Sequence, residues 1–283
     1  MSRATSINLA DLPAPTIVEP LDFEAIRSAM IADFRARYPE FDAVLESDPA
    51  IKLIEAAAFR ELNLRARVND AARGVMLAYA AGSDLDQLAA LLNVKRIDGE
   101  TDARLRERTQ LSHESYTAAG SPGAYIWHAL SASLAVKDAA VSSPRPGRVE
   151  IVLLGTASDG SLPDAEMTAV REAINADHVK PLTDIVTVRQ ASMIDVDISA
   201  DLYLYRGPDA AAVTADATAA LDRYLDSLAL IGRDLALSGV HGALHVAGVQ
   251  RVELRAPAAD ISVGARSALR RGKITVNVAG RND

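Results

Sequence analysis

The longest helical pattern in this sequence runs from Pro49 to about Tyr79. Asp48 is followed by Pro49, which is the arrangement of a helix N-cap with proline at the first helical position. No other glycine or proline occurs before Gly74, and the pattern stays helical to about Tyr79. A helix of that extent would measure roughly 45 Å, which exceeds the width of a small domain. We therefore expect one of its ends to project or to contact several partners.

Two sides of this predicted helix differ in chemistry. Its apolar side is predicted to contain Ile51, Ile54, Ala58, Val68, Ala72, Val75 and Tyr79. On another side Glu61, Arg65 and Asn69 recur every four residues, with Arg60 beside them. Glu61 and Arg65 form a favourable pair one turn apart. Such charges are most simply a solvated face, and the sharper hypothesis is a polar interface with another subunit.

The chain before the long helix divides into an arm and a first helix. Residues 1–21 contain Pro13, Pro15 and Pro20, which favour extended backbone. Because this arm is apolar, we expect it to lie on a surface, of the same chain or of another. Asp22 is predicted to cap a helix over residues 23–38. Its apolar stripe is predicted to consist of Phe23, Ile26, Met30 and Phe34.

Two shorter helices are predicted after the long one. Gly82 is expected to end the long helix, and Ser83 to cap a short helix through Leu92. Thr101 is expected to cap a helix from residue 102 to about 116. The basic surface of that helix is predicted to consist of Arg104, Arg106 and Arg108.

From Gly120 onward the patterns of strands and helices alternate. A helix is predicted around Tyr125. Strands are predicted over residues 136–142, 148–154, 184–190, 193–205, 250–255 and 273–278, and helices over 163–175, 208–227 and 238–246. A helix–strand–strand unit is predicted to occur twice, beginning near Ser121 and near Ser238.

The order of these elements predicts an α+β protein. It has an N-terminal helical region with one long helix, followed by two small α/β domains in which helices pack on a sheet. The predicted domains are an extended arm over residues 1–21, a helical domain over 22–118, and α/β domains over 119–191 and 192–283.

Composition excludes several classes of function. The chain has 30 Lys and Arg against 38 Asp and Glu, a net charge of −8, so we expect no nucleic-acid partner. It has no cysteine, which excludes disulfides, thiolate metal sites and cysteine nucleophiles. No apolar run has the roughly 18 residues that a membrane span needs. The first residues lack the apolar stretch of a signal peptide, so we expect synthesis in the cytoplasm.

No catalytic or metal-binding pattern emerges. His241 and His245 have the spacing of metal ligands, but Gly242 stands where a zinc protease has its glutamate and no third ligand is evident. Glu46 and Asp48 could form an acid–base pair, but the N-cap role explains Asp48 more simply. Nucleophile-elbow and phosphate-binding motifs are missing. We therefore predict neither enzymatic activity, nor a metal, nor a cofactor.

An ordered series of motifs surrounds the long helix. It runs Glu46-Ser47-Asp48-Pro49, Phe59-Arg60-Glu61, Leu64-Arg65-Ala66-Arg67-Val68-Asn69 and Ala71-Ala72, then Met76-Leu77-Ala78-Tyr79-Ala80 and Gly82-Ser83-Asp84-Leu85-Asp86-Gln87-Leu88. This series resembles the baseplate J family, the baseplate assembly proteins of contractile-tailed phages and related tail-like bacteriocins. The resemblance covers most of the chain, although the C-terminal half matches by architecture more than by motif. The candidate motif and interface residues are Glu46, Ser47, Asp48, Pro49, Arg60, Glu61, Arg65, Asn69, Asp84 and Asp86.

The resemblance implies a structural protein of the baseplate wedge, without activity or cofactor. It would lie in the tail baseplate of a virion and be assembled in the cytoplasm of the bacterial host. The implied partners are a second copy of the chain, a second wedge protein, and other baseplate, hub or sheath-initiating proteins. They build a ring that opens when sheath contraction begins. We hypothesise that Arg60, Glu61, Arg65 and Asn69 form a buried polar register in the wedge's helix bundle.

Two alternatives belong to other functional classes. A hydrolase carried on a tail would need a carboxylate pair in a cleft and activity on peptidoglycan. A helical adaptor unrelated to phage would be a stable monomer encoded away from tail genes.

Overall fold

The computed structural model describes residues 7–41, 45–117, 119–177, 179–207 and 209–282. Their contacts form two compact units, which we call the N-terminal unit (described from residue 7 to residue 110) and the C-terminal unit (described from residue 111 to residue 282). The predicted class is confirmed, because a helical region is followed by two three-stranded sheets with helices packed on them.

The regular elements in the described residues of the N-terminal unit are all helices. A short 3-10 helix precedes four α-helices, and these are α1 (Phe23–Arg37), α2 (Pro49–Gly74), α3 (Gly82–Leu91) and α4 (Asp102–Leu111). Asp22 caps α1, since its side chain accepts hydrogen bonds from the N–H groups of Glu24 and Ala25. The predicted apolar stripe of α1 is confirmed: Ile26 is buried and its other three members are half-buried.

The long helix is shorter than the sequence predicts. It ends at Gly74 rather than near Tyr79, so it is roughly 39 Å long. A Cβ at Gly74 would lie 2.9 Å from the Asp84 carboxylate, so glycine allows α3 to approach the end of α2. Residues 75–80 then form turns, in which the N–H groups of Tyr79 and Ala80 donate to the Met76 carbonyl.

The predictions for Gly82 and Ser83 are wrong. Gly82 begins α3 instead of ending α2, and its φ of +54° is a conformation that glycine adopts readily. The N-cap residue is Ala81, whose side chain cannot accept a hydrogen bond, and the Gly82 N–H donates instead to the Asp102 carboxylate at 2.9 Å. The hydrogen bond to Asp102, 20 residues further along the chain, therefore replaces the predicted local cap.

The C-terminal unit contains the two sheets. Its elements are a 3-10 helix (Ser112–Tyr116), α5 (Pro122–Ala132), β1 (Val136–Arg145), β2 (Arg148–Gly155), α6 (Asp164–Asn175), β3 (Ile185–Gln190), β4 (Ser192–Tyr205), α7 (Ala210–Leu228), α8 (Leu237–Leu244), β5 (Val249–Ala256) and β6 (Ser267–Asn282). The prediction of one continuous helix to residue 116 is wrong, because α4 ends at Leu111 and a 3-10 helix follows it. β6 is much longer than the predicted strand over 273–278.

The two sheets share a pattern but not a connectivity. In the first, β2 lies between antiparallel β1 and parallel β3; in the second, β4 lies between antiparallel β5 and parallel β6. The predicted helix–strand–strand order occurs twice along the chain. However, β1 and β2 pair with each other, whereas β5 and β6 are separated by β4. The proposed repeat is therefore one of sequence order and not of strand pairing.

Each sheet has its own apolar core, and buried polar contacts join the two. Tyr125 is fully buried in the first core, and its hydroxyl donates to the Asp184 carboxylate at 2.8 Å. Burial, and next this carboxylate, raise the pKa of the Tyr125 hydroxyl. Between the sheets, the buried Asp138 carboxylate accepts the Ile231 N–H at 2.9 Å, and buried Glu150 binds Arg266 at 2.6 Å. The C-terminal unit is thus tied across both sheets.

A substitution at Gly155, at the end of β2, would test this packing. A Cβ there would collide with the Ser161 carbonyl oxygen, so Gly155→Ala should lower the free energy of unfolding by about 1–3 kcal/mol. Gly242→Ala in α8 is the matched control, because nothing lies within 4 Å of its Cβ position, and it should raise stability by up to about 1 kcal/mol. Denaturant unfolding followed by circular dichroism measures both. Equal effects of the two substitutions would contradict this account of Gly155.

Candidate interaction surface on the long helix

The described residues bring no metal-binding cluster together. No group of three or more His, Asp or Glu side chains among them is arranged to hold a metal ion. His241 lies half-buried in α8, and His245 is exposed at the end of that helix. No helix in the described part of the chain is long and apolar enough to cross a membrane.

The start of α2 is built by the predicted cap. The Asp48 carboxylate accepts the Ala50 N–H at 2.8 Å, and Pro49 occupies the first helical turn. This confirms the N-cap prediction for Asp48. Glu46 and Ser47 are exposed just before the cap. The motif of residues 46–49 therefore forms the N-terminal end of α2 and the two residues before its cap.

One side of α2 packs inside the N-terminal unit. Ile51, Ala58 and Asn69 are its buried residues, and α1 packs along the helix. An ion pair between Arg27 and Glu55 at 3.2 Å links the two helices. The buried side is thus narrower than the predicted apolar side, because packing against one neighbour covers a single strip of a helix.

A second apolar side of α2 faces solvent. Leu53, Leu64, Val68 and Val75, which we call the exposed stripe, are 72%, 68%, 59% and 71% exposed. They are separated by 11, 4 and 7 residues, close to whole numbers of helical turns, so they share one face. The predicted placement of Val68 and Val75 with buried Ile51 and Ala58 is therefore wrong. Tyr79, predicted on the same side, lies beyond the end of α2 and is also exposed.

The polar residues of α2 hold the N-terminal arm. Asn69 is only 4% exposed, and its amide oxygen accepts the Glu19 N–H at 3.2 Å while its amide nitrogen donates to the Glu19 carbonyl at 2.9 Å. Arg65 binds Glu61 one turn away and reaches Glu19 at 3.4 Å. The Glu61 carboxylate, and next Glu19, raise the pKa of the Arg65 guanidinium. Arg60 is exposed.

The arm itself is held at few points. Besides Glu19, the Ile7 carbonyl accepts a hydrogen bond from the Gln110 side chain at 3.0 Å. The prediction that the arm lies on a surface is confirmed at these contacts. Its side chains at Ile7, Leu12 and Ile17 nevertheless remain exposed.

An arginine network that the sequence analysis missed connects α3 with α4. Arg96 donates to Asp86 and to Asp102, both at 2.7 Å, and to the Glu100 carbonyl at 2.9 Å. Arg108 makes a two-pronged ion pair with Glu100, at 2.7 and 2.8 Å. Helical spacing does not signal this network, because Arg96 and Glu100 lie before α4 and Arg108 pairs with a residue eight positions away.

This network corrects the prediction of a basic surface on α4. Arg108 is 3% exposed and Glu100 is 6% exposed. Arg106 is half-buried and donates to the carbonyls of Leu77 and Ala80, at 2.7 and 2.6 Å. Arg106 faces inward because the turns after α2 offer carbonyl oxygens that need donors, and Arg108 does so because it binds the Glu100 carboxylate and the Lys95 carbonyl.

The motif aspartates have different surroundings. Asp86 is held by Arg96, whose pKa it raises. Asp84 is exposed and faces Gly74 at the end of α2. Asp102 accepts the Gly82 N–H, and this hydrogen bond, then Arg96, lowers its pKa.

The chain matches three domain models of one family. The Baseplate J-like N-terminal domain matches residues 46–98, the Baseplate J-like central domain residues 117–190, and the Baseplate J-like protein C-terminal domain residues 196–277. These are the domains of a structural class of phage-tail baseplate proteins. The chain belongs to the Baseplate J-like family.

A relative from a phage also agrees with this assignment. The chain is 42% identical over 286 aligned positions to Baseplate protein J of Escherichia phage P2, covering 93% of this chain and 94% of that protein. Among solved structures, a chain of the six-fold symmetrised anti-feeding prophage baseplate matches with 14% identity and a TM-score of 0.44. That match covers 61% of this chain and 42% of the other.

The buried pair between Glu100 and Arg108 gives a stability prediction. Glu100→Gln leaves Arg108 buried without its anionic partner, so we expect a loss of about 3–5 kcal/mol in the free energy of unfolding. Glu61→Gln, at the more exposed pair with Arg65, should cost about 0–1 kcal/mol. Urea unfolding followed by the helical circular dichroism signal compares the two. Similar losses in both variants would refute the special role of the buried pair.

Proposed function

We propose that this protein is a structural component of the baseplate wedge of a contractile phage tail or tail-like particle. Family membership and the relative named baseplate protein J support the baseplate role. The exposed stripe on α2 is the observation that carries the proposal. Four large apolar side chains on one helix face form the kind of patch that marks a protein–protein interface.

The geometry of the exposed stripe suits a helix bundle. Ala57 and Ala71 lie between its larger members on the same face, so a partner helix could pack closely against it. Arg60 and Arg67 border it with positive charge, which would set the partner's orientation. Because α1 uses a different strip of α2, the bundle could form without disturbing the N-terminal unit.

We assign the exposed stripe to self-association and to binding of a second wedge protein. The complete wedges would contact other baseplate and hub or sheath-initiating proteins and build a ring that takes part in triggering contraction. Each chain in a closed ring needs two contact sites. The protein would lie in the tail baseplate of the virion after assembly in the host cytoplasm.

We keep the hypothesis that the polar residues of α2 set the alignment of the helices in this bundle. Arg65 and Asn69 bind Glu19 of the arm within the chain, and Glu61 binds Arg65. Arg60 lies exposed beside the stripe. By holding Glu19, Arg65 and Asn69 keep the arm on one side of α2 and leave the exposed stripe accessible. A partner helix would then be aligned by Arg60 and by the arm together.

The function is tested by co-expression with the proteins encoded on either side of the gene. Light scattering of the purified product should give the mass of a heteromeric complex containing more than one copy of this chain. The double variant L53E/L64E should abolish that complex, because it introduces four charges into a paired seam. Leu91→Glu is the matched control, since Leu91 on α3 is 80% exposed and lies outside the stripe. A lone monomer in the unmodified protein would refute the proposal.

The register hypothesis has its own test. If the Arg65 contact is desolvated in the complex, Arg65→Ala should lower the binding free energy of the partners by about 2–5 kcal/mol. Less of each partner should then co-purify with the chain. Arg73→Ala, on the same helix and paired only with Asp70 at 4.0 Å among the described residues, is the control. Unchanged co-purification of Arg65→Ala would disprove the role of this residue.

A further inference from the structure

The two faces of the first sheet differ in what covers them. One face packs on α5 and α6 and forms the first apolar core. On the other face, Val152 and Leu154 of β2 pack against Ile231 and Ala268 beside the second sheet. That contact covers the half of the face that is farther from the turn between β1 and β2. The half next to the turn is left open to solvent.

The uncovered half of this face is rich in arginine. Arg145 of β1 lies opposite Arg148 of β2, and Arg148 lies opposite Ile185 of β3, so the three side chains share one side of the sheet. Residues at every second position of β2 and β3 continue that side. We call this surface the basic face, and it consists of Arg145, Arg148, Glu150, Ile185, Thr187, Arg189 and Arg266.

The charges of the basic face are not balanced within the described part of the chain. Glu150 is buried and forms ion pairs with Arg189 at 3.1 Å and with Arg266 at 2.6 Å, yet both arginine side chains stay more than half exposed. Arg145 and Arg148 are exposed and have no ion pair among the described residues. Four arginines against one glutamate give the face a net charge of +3, whereas the whole chain carries −8.

We propose that the basic face binds an acidic segment of a different baseplate protein. Guanidinium groups bind carboxylates through two parallel hydrogen bonds, and Glu150 already holds Arg189 and Arg266 in place for a second carboxylate. Ile185 is 59% exposed in the middle of these arginines, so the segment would place an apolar side chain there. The inference rests on the proposed function, because the partner is another protein of the baseplate.

Charge argues against other occupants of the basic face. In a two-fold contact between copies of this chain, the same positive surface would meet itself, because such an interface uses one patch on both subunits. A nucleic acid or an anionic membrane carries charge over a wide area and would be repelled by the rest of a chain with a net charge of −8. A local acidic segment of a protein contacts the basic face alone.

Reversal of two charges tests the proposal in the complex obtained by co-expression. R145E/R148E should raise the dissociation constant of one purified partner for the full chain about tenfold or more, because carboxylates would then face carboxylates. The matched control R171E/R223E makes the same change of charge at exposed arginines of α6 and α7, and should leave that constant within about twofold. Isothermal titration calorimetry measures both, and equal constants would overturn the proposal.

Zero-length cross-linking identifies the occupant directly. Carbodiimide joins an amine to a carboxylate in contact with it, so R145K/R148K should keep its affinity and become linked at these positions to Asp or Glu of the partner. R171K/R223K should give no such link at positions 171 and 223. Mass spectrometry of the digested complex locates each link. A link from position 145 or 148 to another copy of this chain, or no link at either position, would refute the acidic partner.

Failure of this proposal can be told apart from failure of the proposed function. A chain that purifies as a lone monomer refutes the proposed function and this contact with it. A complex that depends on Leu53 and Leu64 but is unaffected by R145E/R148E refutes this contact alone. Binding to phosphatidylglycerol vesicles that R145E/R148E removes, without an effect on any protein partner, would assign the basic face to a membrane and would also overturn the proposal.

Discussion

The buried ion pair between Glu100 and Arg108 organises the N-terminal unit, whose apolar core is small. Its buried apolar residues are few, and several of them are alanines. Such a core leaves carbonyl oxygens and carboxylates of the turns near the interior, where they need donors. Arg96, Arg106 and Arg108 supply those donors from α4 and the loop before it. The position of α3 beside the end of α2 depends on these contacts.

This arrangement explains why α2 keeps one side uncovered. Among the described helices of the N-terminal unit, α1 packs most extensively along α2, and it covers only one strip of it. The described residues of the N-terminal unit leave the exposed stripe uncovered. A structural protein of a large assembly has a use for such a face, because burial then occurs only when the complex forms.

Several local predictions from the sequence are accurate because they depend on neighbouring residues alone. Asp22 and Asp48 cap their helices as predicted, since a side chain two residues away satisfies the first N–H groups. The strands of both sheets were located to within a few residues, with β6 the exception. The motif series around α2 also indicated the family, which the domain matches establish.

Sequence by itself therefore determined the α+β class, the start of each major helix and the family. Tertiary structure decided which side of α2 is buried, where that helix ends, which way the α4 arginines point and how the strands pair. The reason is physical: caps and periodicities are set within one or two turns of chain. Burial and strand order depend on residues far apart, such as Gly74 with Asp84 and β4 with β6, whose contacts no local pattern encodes.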